Sequence, residues 1–206
     1  FMRVSTGLCA KDGVEMSRAY LCVSIDTECD KGPKWRSQKP MSFEGVHEGV
    51  ARRLQPLFDA HGAKPTYLIS SEVLRDERCL ETFRKLSSSS SCELGTHLHG
   101  EYAEPDAWEP DVTRDFQRDY DAGVERQKLT YLTDQFIRAF QYQPHSFRAG
   151  RFGIGKSTIG ILEDLGYSVE SSVTPFMDWT SSGAPGLTFD GSPTQPYRPG
   201  PKRPAR

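Results

Sequence analysis

Glu93-Leu94-Gly95-Thr96-His97-Leu98-His99-Gly100-Glu101 sets two histidines one residue apart, flanked by carboxylates. If the stretch is extended, side chains alternate and His97 and His99 point to the same side. Two imidazoles on one face can share a divalent cation, and neutral imidazole is the commonest metal-binding side chain. The competing reading is a surface strand end with incidental histidines. A second stretch, Tyr20-Leu21-Cys22-Val23-Ser24-Ile25-Asp26-Thr27-Glu28-Cys29-Asp30, runs an apolar strand over residues 20–26 into a cluster of acids. Asp26 and Glu28 are again two apart and can line one face just past that strand. One can ligate a metal while the other serves as general base. Two histidines and one carboxylate leave coordination positions open for water and substrate, which suits hydrolysis. The plain alternative for the two acids is turn and cap chemistry, with Asp30-Lys31-Gly32-Pro33 as the turn.

Between and beyond these stretches, strand-like and helix-like segments alternate, the pattern of parallel α/β architecture. Val46, Val50, Leu54, Leu57 and Phe58 form a helical stripe over residues 45–61 that stops at Gly62. Residues 65–70 read as a short strand and 71–86 as a helix with Ser71 as its cap. Ser87 to Ser91 read as a flexible connection. A long helix is expected over about 111–142, with Phe116, Tyr120, Val124, Leu129, Leu132, Phe136 and Phe140 on one face. A strand at 145–148, a Gly-bearing turn, a helix over 156–165 and a strand at 167–173 complete the series. Each strand-like run ends in polar residues: Asp26 and Glu28, Ser70 and Ser71, His97 and His99, Arg148 and Arg151. In parallel α/β folds functional groups gather at the carboxyl ends of strands, so these four ends can converge on one site. An arginine in the turn Phe147-Arg148-Ala149-Gly150-Arg151-Phe152-Gly153 can hold a catalytic carboxylate by a two-pronged contact, or bind a carbonyl oxygen. Arg148 is assigned the first part, with Arg151 as its companion. His47 and His61 are expected to be exposed on or beside a helix.

A rival signal overlaps this turn. Gly150-Arg151-Phe152-Gly153-Ile154-Gly155-Lys156-Ser157 matches the phosphate-loop pattern letter for letter. Such a loop needs an apolar strand before it and a later strand ending in an acid. Residues 145–148 are poor in apolar side chains, and a nucleotide site would leave the paired histidines without a task.

Composition narrows the field. The 206 residues carry 26 basic and 28 acidic side chains, a net charge of −2 in a mixed distribution, which gives no case for nucleic acid or an anionic membrane as partner. No apolar run approaches the length of a membrane span. The start lacks the layout of a secretory signal, so a cytoplasmic location is expected. Five cysteines without a CxxC pair suit a reducing compartment better than a disulfide framework, and Cys29 and Cys92 are taken as bystanders of the metal segments. Three regions are expected: an N-terminal extension over 1–19, an α/β domain over 20–179, and a Pro- and Gly-rich, poorly ordered tail over 180–206.

The assembled motifs resemble the polysaccharide deacetylase family of the NodB-homology, carbohydrate esterase type. Ser24-Ile25-Asp26-Thr27-Glu28 stands where that family has its first, acid-bearing motif. Glu93 to His97 stands at its second and Phe147 to Arg151 at its third, while Lys64-Pro65-Thr66-Tyr67-Leu68 looks like its second strand. The resemblance spans about residues 20–175. It implies a distorted (β/α) barrel, here incomplete at the C-terminus, and a divalent metal, usually zinc. It further implies Asp26 as general base and Glu28, His97 and a second histidine as ligands. The implied reaction is water attack on the carbonyl of an N-acyl group, on an N-acetyl sugar or another N-acylated small substrate. The sequence departs from the family at three points. Thr27 separates Asp26 from Glu28, where the family has adjacent acids. His99 lies two residues after His97 rather than four, and position 101 is Glu101, so His99 is taken as the ligand with Glu101 as its alternative. No histidine follows His145, so the family's late general-acid motif is absent, which leaves three expectations: a chain truncated before that strand, which the Pro-rich end and short length favour, a different acid, or an inactive member. Trp35 and Trp108 are candidate platforms for a sugar ring.

Overall fold

A computed structural model describes residues 20–33, 37–89, 91–105, 107, 116–182 and 184–199. Trp35, Trp108, the 1–19 extension and the last residues of the tail lie outside the described residues. Five parallel strands form one sheet: β1 (Ser24–Thr27), β2 (Thr66–Ser70), β3 (Glu93–Leu98), β4 (Ser146–Ala149) and β5 (Val169–Glu170). Their order across the sheet is their order along the chain. Helices fill every connection: a wide π-type turn series Gly45–Leu54 running into α1 (Gln55–Ala60), then α2 (Glu77–Ser88), α3 (Ala122–Phe140) and α4 (Thr158–Asp164). Because the order never reverses, the sheet lacks the switch-point crevice of a doubly wound fold. Functional groups must therefore gather along one rim of strand ends, as in a barrel. Among the described residues the sheet is an open sector with β1 and β5 as its edges.

Burial follows the strand period. Tyr67 and Ile69 of β2, Leu94 and Leu98 of β3 and Phe147 of β4 face the helices. They join Cys79, Leu80 and Phe83 of α2 and Leu129, Leu132 and Phe136 of α3 in one apolar cluster. The alternate residues face the other side of the sheet, where Gly95 lets β3 approach closely. A Cβ at Gly95 would stand 2.5 Å from the Ser146 carbonyl oxygen and 2.9 Å from Leu68.

Several expected boundaries shift for visible reasons. β1 starts at Ser24 because pairing with β2 begins there, and Tyr20 and Leu21 are exposed. α2 is capped by Asp76, whose carboxylate accepts from Cys79 N at 2.8 Å, and not by Ser71, whose hydroxyl is drawn inward to donate to Gln135 at 2.5 Å. α2 extends to Ser88, so the serine run is in part helical. α3 starts at Ala122 because Asp121 accepts from Gly123 N and Val124 N, and Phe116 packs elsewhere. β5 shrinks to two paired residues. β4, despite its polar composition, is a buried inner strand between β3 and β5. His47 is not exposed: its side chain retains 8% of its surface, against α2. Part of the expected loose tail also folds back. Ala184, Leu187 and Phe189 are buried with Ile154 in a second apolar cluster that includes Phe116, Phe152 and Trp179. Cys22, Cys29, Cys79 and Cys92 are free thiols.

Candidate metal centre

Strand register gathers the predicted residues. Asp26 pairs across the sheet with Leu68, which pairs with Gly95, while Ser70 pairs with His97, which pairs with Arg148. Cross-strand partners share a face, so Asp26, His97 and Arg148 project to the side away from the helices. His99 and Glu28 follow one step beyond their strands.

Three donor atoms meet there. Glu28 Oε1 lies 3.4 Å from His97 Nε2 and 3.3 Å from His99 Nε2, and the three residues form a group whose ligand atoms are mutually within 4.8 Å. Each imidazole is held from behind. His97 Nδ1 is 3.0 Å from the Arg148 carbonyl oxygen, and His99 Nδ1 is 3.2 Å from Glu101 Oε1. A carbonyl or carboxylate oxygen only accepts, so each Nδ1 carries the proton and each Nε2 aims at Glu28. This is the arrangement in which an outer partner orients a ligating histidine. Bonds of about 2.0–2.2 Å to a tetrahedral cation would space its ligands about 3.3–3.5 Å apart, close to the observed separations. The donor set of two nitrogens and one oxygen, with each Nδ1 already committed to an acceptor on its far side, fits a divalent cation such as zinc. Glu101 sits on the far side of His99 from Glu28 and supports that ring.

Asp26 stands beside this group. Its Oδ1 accepts from Arg148 Nη1 at 2.7 Å, and its Oδ2 faces His97 Nε2 at 3.9 Å. Arg148 is anchored further by Ser24 Oγ at 2.6 Å and the Ser171 carbonyl at 3.1 Å. Arg151 reaches Glu101 Oε1 at 3.4 Å rather than Asp26. It adopts a left-handed backbone, φ 53°, at the turn after β4.

The electrostatics show a pocket that demands positive charge. Burial works against ionised Glu28, yet both histidines outweigh it and hold its carboxyl far below the usual range. Burial likewise opposes a charged His99, but Glu101 and Glu28 raise its pKa to about 10. Glu101, against its own burial, is drawn down to about 2 by His99 and Arg151. Without a cation the pocket takes a proton instead.

Two lysines in this region carry no sequence signal. Lys31, read as a turn residue, places its ammonium 2.9 Å from Glu28 Oε2. Lys128, in the middle of α3, is buried and donates to the carbonyl oxygens of Gly100 at 2.9 Å, Ala103 at 2.7 Å and Pro105, clamping the loop that follows His99. A helical lysine reads as solvated, and only the tertiary path of that loop turns it inward.

His145 is exposed at the opposite end of β4. The phosphate-loop match does not build a phosphate cradle. Gly153 N donates to the Gly150 carbonyl, Ile154 N to the Phe152 carbonyl and Gly155 N to Thr158 Oγ1, so three of its amides are spent internally. Arg118 N bonds the Gly153 carbonyl at 2.8 Å, laying another segment across the turn. Gly150 has a different use. A Cβ there would lie 2.6 Å from the Leu98 carbonyl oxygen and 3.2 Å from His99 Nδ1, so the bare backbone makes room for the imidazole.

No protein-family profile matches the sequence. No curated protein matches it either. Solved structures do resemble the fold. A mutant form, with restored enzymatic activity, of a CE4 family pseudoenzyme from Bacillus anthracis superimposes with a TM-score of 0.50 at 12% identity, covering 78% of this chain and 47% of that one. The BpsB deacetylase domain from Bordetella bronchiseptica gives 0.49 at 14% identity, covering 62% of this chain and 60% of that one. The deacetylase PplD from Streptococcus pyogenes, in complex with acetate, gives 0.47 at 10% identity, covering 68% and 57%. The first of these shows the fold alone: the chain shares the parallel α/β architecture of that CE4 family structure and spans about half its length. No helix among the described residues is long and apolar enough to cross a membrane.

Proposed function

We propose that this chain carries the metal centre of a hydrolase that removes an N-acyl group, namely N-acetyl from a sugar polymer. The observation that supports it most directly is the pair of histidines, each held at Nδ1, with both Nε2 atoms turned on Glu28 and Asp26 Oδ2 alongside. In this reading Glu28, His97 and His99 hold a divalent cation, which supplies Lewis acidity to water and to the acyl carbonyl. Asp26 is the general base. Arg148 occupies Oδ1 and fixes the carboxylate plane, leaving Oδ2 to accept the proton of the attacking water. Arg151 steadies Glu101 and, through it, the ring of His99. The proton for the leaving amine comes from a group outside the described residues or from Asp26 itself, once protonated.

The test is deacetylation of chitooligosaccharides together with bound-metal analysis. Activity that Asp26→Asn abolishes, and a zinc content that drops by one equivalent per chain in His97→Ala plus His99→Ala, are the expected results. An unchanged zinc content in that double variant overturns the site. Retained metal without any turnover supports the alternative, a catalytically inactive carbohydrate-binding relative or fragment.

A further inference from the structure

Away from the sheet rim, on the helical layer, a second set of metal-binding side chains comes together. His47, from the turn series before α1, meets Asp76 and Cys79 at the start of α2. His47 Nε2 lies 3.2 Å from Asp76 Oδ1 and 3.4 Å from Cys79 Sγ, and the three ligand atoms are mutually within 4.8 Å. We propose that His47, Asp76 and Cys79 form a second metal site, one that takes a single zinc-like cation.

Geometry supports it first. Bonds of about 2.0–2.3 Å to a tetrahedral cation space nitrogen, oxygen and sulfur ligands about 3.3–3.7 Å apart, near the two separations seen here. Donor chemistry selects the metal class: thiolate with imidazole favours zinc, and magnesium or calcium would need oxygen ligands. The third support is an orphaned atom. His47 Nδ1 is buried and has no hydrogen-bond partner, with Glu44 Oε1 3.8 Å away. With Nε2 turned on Asp76 and Cys79, Nδ1 is left facing the Glu44 carboxylate without a hydrogen bond. A cation held at Nε2 would leave the imidazole proton on Nδ1, on the side of that carboxylate.

The surrounding charges agree with this reading. Asp76, Glu44 and Asp30 all act on His47 or Cys79, and Arg78 is the opposing cation. As a metal-bound thiolate, Cys79 would sit in the first turn of a twelve-residue helix, where negative charge is favoured. Cys79 closes the inner side, while Asp76 and Glu44 are partly exposed and leave a path for entry.

The experiment uses the full chain with His97→Ala and His99→Ala, so that the rim site is disabled and only this cluster is read. Cobalt(II) is the probe, because a thiolate ligand gives it an intense sulfur-to-metal charge-transfer band, and the rim ligands Glu28, His97 and His99 include no thiol. The expected result is one equivalent of cobalt with that band, displaced by zinc. The band is lost in Cys79→Ser and weakened at least about tenfold in apparent affinity in His47→Gln, which leaves the buried thiol in place. No charge-transfer band, or a band that survives both substitutions, overturns the proposal. Should Cys79→Ser fail to fold, His47→Gln decides alone, since an unchanged cobalt affinity there also overturns it.

Discussion

Arg148 acts on the site twice: its carbonyl oxygen accepts from His97 Nδ1 at 3.0 Å, and its guanidinium holds Asp26 at 2.7 Å. The first contact belongs to the backbone and survives any side-chain substitution. The second does not. Arg148→Met is therefore expected to retain zinc affinity while lowering kcat/KM by about 10²–10⁴-fold, the usual worth of a positioned general base. Zinc competition titration beside an activity assay separates the two effects, and a parallel loss of metal would show that the arginine supports the ligands instead.

Gly150→Ala should do the reverse. The added methyl meets the Leu98 carbonyl oxygen at 2.6 Å and the His99 ring at 3.2 Å, so the imidazole must move. A displaced or unsupported ligand typically loses about 10–100-fold in metal affinity. The strain should cost about 1–3 kcal/mol of stability. Metal affinity equal to that of the parent chain would mean that the loop relaxes around the methyl.

These two positions also mark what the sequence made legible. The paired spacings of Asp26 with Glu28 and His97 with His99 were readable because strand alternation turns spacing directly into a shared face. Gly150 is legible in the sequence only as part of a Gly-bearing turn and a phosphate-loop pattern, since its task of making room for His99 arises from two strands meeting. Lys31, Lys128 and His47 give no sign of their contacts in the sequence for one reason: charged and imidazole side chains on turns and helices look solvated until tertiary contacts bury them. Helix starts were misplaced where a competing cap, Asp76 or Asp121, lay inside a longer periodic run.

Alkali should lower the stability of the metal-free chain while raising the increment that zinc adds. His99 rises from the ordinary 6.5 to about 10, so its ion pairs stabilise the fold fully below 6.5 and are lost as pH climbs through 10. Glu101 falls from 4.5 to about 2, and its contribution, with that of Glu28, is present above 4.5 and lost as pH drops. In chelator the melting temperature should be highest between those limits and decline towards pH 10, with the alkaline decline absent in His99→Gln. Zinc needs the unprotonated Nε2, so the increment it adds should grow with pH over the same interval. Scanning fluorimetry with and without zinc reads both slopes, and an increment independent of pH would contradict direct coordination by His99.

Asp30 offers a test of how the loop bearing Glu28 is held. Its carboxylate accepts from Glu44 N at 2.8 Å, Gly45 N at 2.9 Å and Ser42 Oγ at 2.5 Å, capping the first helical stretch from a distant point in the chain. Burial is outweighed by these contacts, so the Asp30 carboxyl is held below its ordinary range. Replacing such a cap typically costs about 0.5–2 kcal/mol, and Asp30→Ala should lie in that interval at neutral pH. Because the depressed carboxyl contributes only where it is ionised, the gap between variant and parent should close as pH falls below about 4. The cap ties β1's trailing loop to the helix without touching Nε2 of either histidine, so zinc affinity should fall less than in Gly150→Ala. Urea denaturation at pH 7 and pH 3, with zinc titration of the same two proteins, provides the comparison. A larger loss of zinc in Asp30→Ala than in Gly150→Ala would mean that Glu28, more than His99, depends on its supporting loop.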